Sequence, residues 1–197
     1  MHLAHQSNVK RLSYNLEGYK ALVITTSQAS LDKINATSSE VIKKGNATGV
    51  YASEITEPYY ALLDAQMEVD VASIVGGQIP IEKLSLRPFV RTEDDTRFLK
   101  DAILQQKVKN SKSLEELKIE EYDIVFLSGG WGAAYDFTQS DKLSALNEYN
   151  SRVIDIFHNH IVVDNEHLII TGQNQKCGVA TAQSALELLD EKIKEKA

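Results

Sequence analysis

The residues best placed for chemistry are Gly129, Gly130 and Gly132, with Trp131 among them. Glycines this dense let the backbone turn sharply and let a ligand approach it closely. Directly before them, Ile124 to Leu127 is an uninterrupted apolar run, the pattern of a strand buried on both faces of a parallel sheet. Small and aromatic residues then lead towards a helix. Strand, glycine turn and helix together present free backbone N–H groups at the carboxyl edge of a parallel sheet, where open α/β folds bind ligands. A tight turn with no ligand reads the same residues equally well. Trp131 either lines that site or packs as an ordinary aromatic. Glu54 stands as an acid/base group in a pocket or as a capping or surface carboxylate.

The remaining reactive side chains carry less. Cys177 is the only cysteine, so no internal disulfide framework is available. It falls near the start of the last helix, where the helix dipole lowers a thiol pKa, but the reading as a small buried filler is preferred. His158 and His160 are two apart, on one face if their stretch is extended, and His167 lies across a hairpin. No cysteine or carboxylate motif closes a ligand set around them, so no metal is expected. The run Glu115, Glu116, Glu120, Glu121 reads as a solvated face.

These residues need a frame, and 197 residues are enough for one domain with a proper core. The chain divides into a polar lead-in, residues 1–18, and a single domain, residues 19–197. Apolar residues make up 43% and charged residues 25%, values of an ordinary globular chain. A formal charge of -7 without a basic cluster argues against a nucleic-acid partner. No apolar run reaches the length of a membrane span, and no secretory leader is visible. A reducing, cytoplasmic setting is expected.

The expected strands are Tyr19 to Thr26, Val69 to Ile74 and Ile124 to Leu127. Residues 27–49 form a long excursion, with a short helix at Ser38 to Lys44. Thr56 is the expected N-cap of a helix carrying Pro58 early and Tyr59, Leu62, Leu63 and Met67 inward. Glu93 to Gln106 reads as one helix with Phe98, Leu99, Ile103 and Leu104 on a face. Ser113 to Glu120 reads as a shorter one with a capping box. Ser140 to Asn150 is a further helix. Ile161 to Val163 and Leu168 to Ile170 form a hairpin turning at 164–166. The last helix runs from about Lys176 to Lys194, with Val179, Ala182, Ala185, Leu186 and Leu189 inward. The alternation means an α/β fold: a doubly wound, mostly parallel sheet flanked by helices, with a C-terminal hairpin and helix.

Four stretches in order carry a family resemblance. They are TGVYASE at 48–54 with Pro58-Tyr59-Tyr60, EVDVAS at 68–73, YDIVF at 122–126 with GGWGAAYD at 129–136, and VVD at 162–164 with TGQN at 171–174. Together the sequence resembles the ThiJ/PfpI superfamily, with its class I glutamine amidotransferase-like fold. Within it the match is to the heat-shock-protein-31-like branch of chaperone and glyoxalase III proteins. In that family a cysteine on a strand-to-helix elbow, followed by histidine, works with a glutamate. The resemblance puts Glu54 in the glutamate's place, and Gly129 and Gly130, beside Trp131, in the oxyanion pocket. The chemistry is coherent: a thiolate attacks, a carboxyl moves protons, and N–H groups hold the oxyanion.

No residue supplies the elbow nucleophile. The nearest apolar stretch, residues 152–160, has neither cysteine nor glycine where the elbow needs them, and resembles instead the family segment just before the hairpin. The chain then passes, near Asn150, over the elbow strand, its helix and a further strand. Two readings follow. In the leading one the protein is a non-catalytic, chaperone-like or interaction protein. In the alternative, a cysteine-bearing segment lies outside this chain and the activity is a cofactor-independent glyoxalase III (methylglyoxal to lactate), deglycase or thiol hydrolase. The resemblance implies no cofactor, a homo-oligomer, and misfolded proteins or small aldehydes as partners.

Overall fold

Strand β1 (Lys20–Thr25) has a buried side chain at every position after the first, which only a central strand covered on both sides allows. In this computed structural model, residues 13–35, 37–38, 40–144, 161–164, 169–172 and 177–196 are described. Strand β1 lies between β4 (Glu68–Ser73) and β6 (Ile124–Leu127), both parallel to it, and β5 (Lys112–Ser113) extends the sheet beyond β4. The order is β5-β4-β1-β6, the mostly parallel α/β sheet expected from the alternation of elements.

The period-two rule sorts the side chains onto two faces. Ala21 and Val23 of β1, Val69 and Val71 of β4, and Ile124 and Phe126 of β6 share one apolar cluster. That cluster includes Ile55, Tyr59 and Leu62 of helix α1 (Ala52–Asp64). Leu22 and Ile24, together with Val125 and Leu127, join the opposite cluster around Leu114, Ala133, Phe137 and Leu143. Helices therefore cover both faces.

Several boundaries differ from expectation. Residues 41–43 form strand β3 (Val41–Lys43), paired antiparallel with β2 (Lys33–Ile34), in place of a helix at Ser38 to Lys44. The β-branched pair Val41-Ile42 suits a strand better. Helix α1 starts one turn before Thr56, with Tyr51 as N-cap. The Thr56 hydroxyl instead donates to buried Asp95 Oδ1 at 2.6 Å, joining α1 to helix α2 (Glu93–Phe98).

The expected helix Glu93 to Gln106 is two helices, because Asp101 accepts the N–H groups of Ile103 and Leu104 and caps α3 (Ala102–Lys109). Phe98 and Leu104 are buried, whereas Leu99 and Ile103 are exposed. Ser113 to Glu120 becomes two 3-10 turns, Leu114–Glu116 and Ile119–Glu121, with the capping box retained.

After β6 come two short helices, α4 (Ala133–Asp136) and α5 (Asp141–Ser144). The rest of the expected helix to Asn150 lies outside the described residues, as does the hairpin turn beyond Asp164. Strands β7 (Ile161–Asp164) and β8 (Ile169–Gly172) pair antiparallel as expected. Helix α6 (Gly178–Lys196) buries Val179, Ala182 and Leu186 and packs along α1. Ala185 and Leu189 are partly buried against the same cluster. Among the described residues no helix is long and apolar enough to cross a membrane.

Candidate functional site at the glycine turn

Glu54 sits in the first turn of α1, and its carboxylate answers to two neighbours. Oε2 accepts the backbone N–H of Tyr51 at 3.2 Å, which caps the helix. The same carboxylate lies against the glycine turn. A methyl group built on Gly130 would come within 3.0 Å of Glu54 Oε2, and one on Gly129 within 3.8 Å of Oε1. Gly130 also has φ +102, so its place needs both the missing side chain and the left-handed backbone. Glu54 thus caps its helix, one of its two sequence readings, and the same half-buried carboxylate lies against the glycine turn.

Its environment is unusual for an acid. Burial pushes its carboxyl up to about 7, the Tyr51 amide pulls the other way, and the charge of Glu82 adds to the rise. A group at this value is a balanced mixture of acid and base near neutral pH, as proton exchange requires.

The turn is positioned by its own neighbours. Ile124 and Phe126 face α1, so Ser128, two further on, faces α1 as well. Its hydroxyl donates to the Glu54 carbonyl at 2.6 Å, and its N–H to the Ile24 carbonyl at 2.8 Å. On the other side, a methyl on Gly132 would meet the Thr26 side chain at 2.7 Å, so the turn rests directly on the end of β1. Asp136 Oδ2 accepts from the Thr26 hydroxyl at 2.9 Å and the Ser27 amide at 2.7 Å, closing the knot. Burial holds the Asp136 carboxyl above its ordinary value.

The structure therefore brings together Glu54, Gly129 and Gly130. Trp131, at 72% exposure, is not packed and stands on the rim. Cys177 is 1% exposed, which fits the filler reading. His158, His160 and His167 lie outside the described residues. Sequence reasoning missed Ser128, Thr26 and Asp136. Counting alternate residues along β6 would have placed Ser128 on the α1 face; the other two carried no comparable signal.

No family model matches the chain. A search of solved structures finds the Rapid Encystment Protein of 24 kDa from Francisella tularensis, with a TM-score of 0.65 at 22% identity over 87% of this chain and 99% of that one. Glyoxalase III from Candida albicans gives 0.65 at 16% identity, over 86% of this chain and 97% of that one. These neighbours show the fold: a ThiJ/PfpI-type α/β sheet.

Among curated proteins, a probable glutathione-independent glyoxalase of Saccharomyces cerevisiae, SNO4, is 29% identical over 102 residues, 51% of this chain. The match spans 43% of that relative, so the chain aligns with less than half of its length. Together the fold and these relatives support the ThiJ/PfpI superfamily for this chain, and within it the heat-shock-protein-31-like branch.

Proposed function

We propose that the chain keeps the acid/base half of a glyoxalase III-like site and lacks its thiol half, and so works as a non-catalytic, chaperone-like or interaction protein. One contrast carries the reading. The Glu54 carboxylate is packed on the Gly129–Gly130 turn, whereas the single thiol, Cys177, is buried away from solvent. A nucleophile must reach its carbonyl, and a thiol with 1% exposure does not. On this reading the protein self-associates, belongs to the cytoplasm, needs no cofactor and receives misfolded polypeptide or small aldehydes as partners.

A second reading is cofactor-independent glyoxalase or deglycase activity, completed by a cysteine-bearing segment outside this chain. The names of the relatives favour it, as does a carboxyl held near neutrality. The intact mass of the natural protein separates the two, a value far above 21.9 kDa favouring the second, and a paired experiment tests the first. The chain is incubated with methylglyoxal while lactate is followed by proton NMR, and separately with a heat-denatured reporter protein while turbidity is followed. The expected result is lactate at the level of the protein-free control together with suppressed turbidity. Lactate formation that Cys177→Ala abolishes would overturn the proposal and make Cys177 the nucleophile.

A further inference from the structure

Pro58 lies inside α1, four residues after Glu54. The helical ladder would take the carbonyl of residue 54 to the N–H of residue 58. Proline has no N–H, and its ring crowds the carbonyl four residues before it. The Glu54 carbonyl is thereby released from the ladder, in the same residue whose side chain forms the acid of the site. Ser128 takes it up, its hydroxyl donating to that oxygen at 2.6 Å. Ser128 is itself fully buried, is tied to β1 through its amide, and is followed at once by Gly129.

We propose that Ser128 is a positioning residue: paired with the gap left by Pro58, it clamps the main chain of Glu54 to the end of β6 and keeps the carboxyl pressed on the glycine turn. The alternative is simple satisfaction of a buried carbonyl, with no consequence for the carboxyl. The two differ in what restores them. A backbone N–H at position 58 would satisfy the carbonyl without tying α1 to β6. The clamp needs Ser128 itself. The inference rests on Glu54 being the acid of the proposed site, but it needs neither turnover nor a known ligand.

The test compares the parent chain, Ser128→Ala, Pro58→Ala and the double variant, following the Glu54 carboxyl carbon by NMR from pH 4 to 9, with thermal melting alongside. Glu54→Gln assigns the resonance. The parent should titrate near 7. With the clamp removed, water reaches the carboxyl and desolvation weakens, so in Ser128→Ala the midpoint should fall by about one pH unit or more. Pro58→Ala alone should leave it in place. The double variant should regain melting temperature relative to Ser128→Ala but keep the lowered midpoint. If Ser128→Ala does not fold, the double variant, with its helical ladder complete, gives the same reading. An unchanged midpoint in whichever of the two folds overturns the clamp. A parent midpoint near the ordinary carboxylate value would instead sink the reading of Glu54 as the acid, which keeps the two failures distinct.

Discussion

Glu54 carries an electrostatic cost that its removal should reveal. Its carboxyl is raised from 4.5 to about 7, mainly by burial. Between those values the folded chain binds more protons than the unfolded one, so this group lowers stability as pH rises, and the loss is complete above the folded pKa. The shift corresponds to about 3 kcal/mol at most. Glu54→Gln keeps the shape and an oxygen for the Tyr51 amide while removing the charge. It should stabilise the protein by up to about 3 kcal/mol at pH 8.5 and by almost nothing at pH 4. Urea unfolding at the two values measures this, and equal effects at both would show that Glu54 ionises as freely as a surface acid.

At the scale of elements, the sheet has an opposite dependence built into β4. Asp70 is partly desolvated, which opposes ionisation. Hydrogen bonds from Lys112 and Tyr122 (2.8 Å for the phenol), with the Lys112 and Lys107 charges, outweigh this and hold its carboxyl below the ordinary value. The group ties β4 to Lys112 of β5 and to Tyr122, just ahead of β6. Its folded pKa is depressed, so its contribution is present above the unfolded value and is lost as pH falls through the folded one. Asp70→Asn should cost about 1 kcal/mol at pH 7, since Lys112 is half exposed, and the cost should fade as pH falls through the lowered folded value. A cost that persists unchanged in acid would mean that packing, not charge, is what Asp70 supplies.

For the whole molecule, β6 has β1 on one side only among the described residues. Val75 and Trp131, both at the carboxyl edge, are largely exposed. Exposed apolar residues on such a rim favour association. The chain should sediment as more than a monomer at micromolar concentration. Trp131→Ser should shift the distribution towards monomer if the rim takes part. A sharp monomer boundary at all concentrations would remove self-association from the proposed function.

What the sequence determined by itself is the frame. The apolar run of β1 names a central strand because a segment without a polar face has nowhere to lie but inside, and the run of β6 with the glycine turn after Leu127 places a second parallel strand and a candidate binding edge beside it. Local rules also located the last helix and the hairpin strands. They failed where a distant partner decided the outcome. Thr56 would serve as an N-cap, yet Asp95, remote in sequence, takes its hydroxyl. Residues 93–106 have helical character throughout, yet Asp101 caps a second helix once Phe98 and Leu104 are both drawn into the core. The character of Glu54 was the least legible of all. Its type allows a surface carboxylate, a helix cap or a buried acid, and tertiary packing decided among them: the carboxylate lies so near the glycine turn that a Cβ on Gly130 would come within 3.0 Å of it, and burial raises it above an ordinary glutamate.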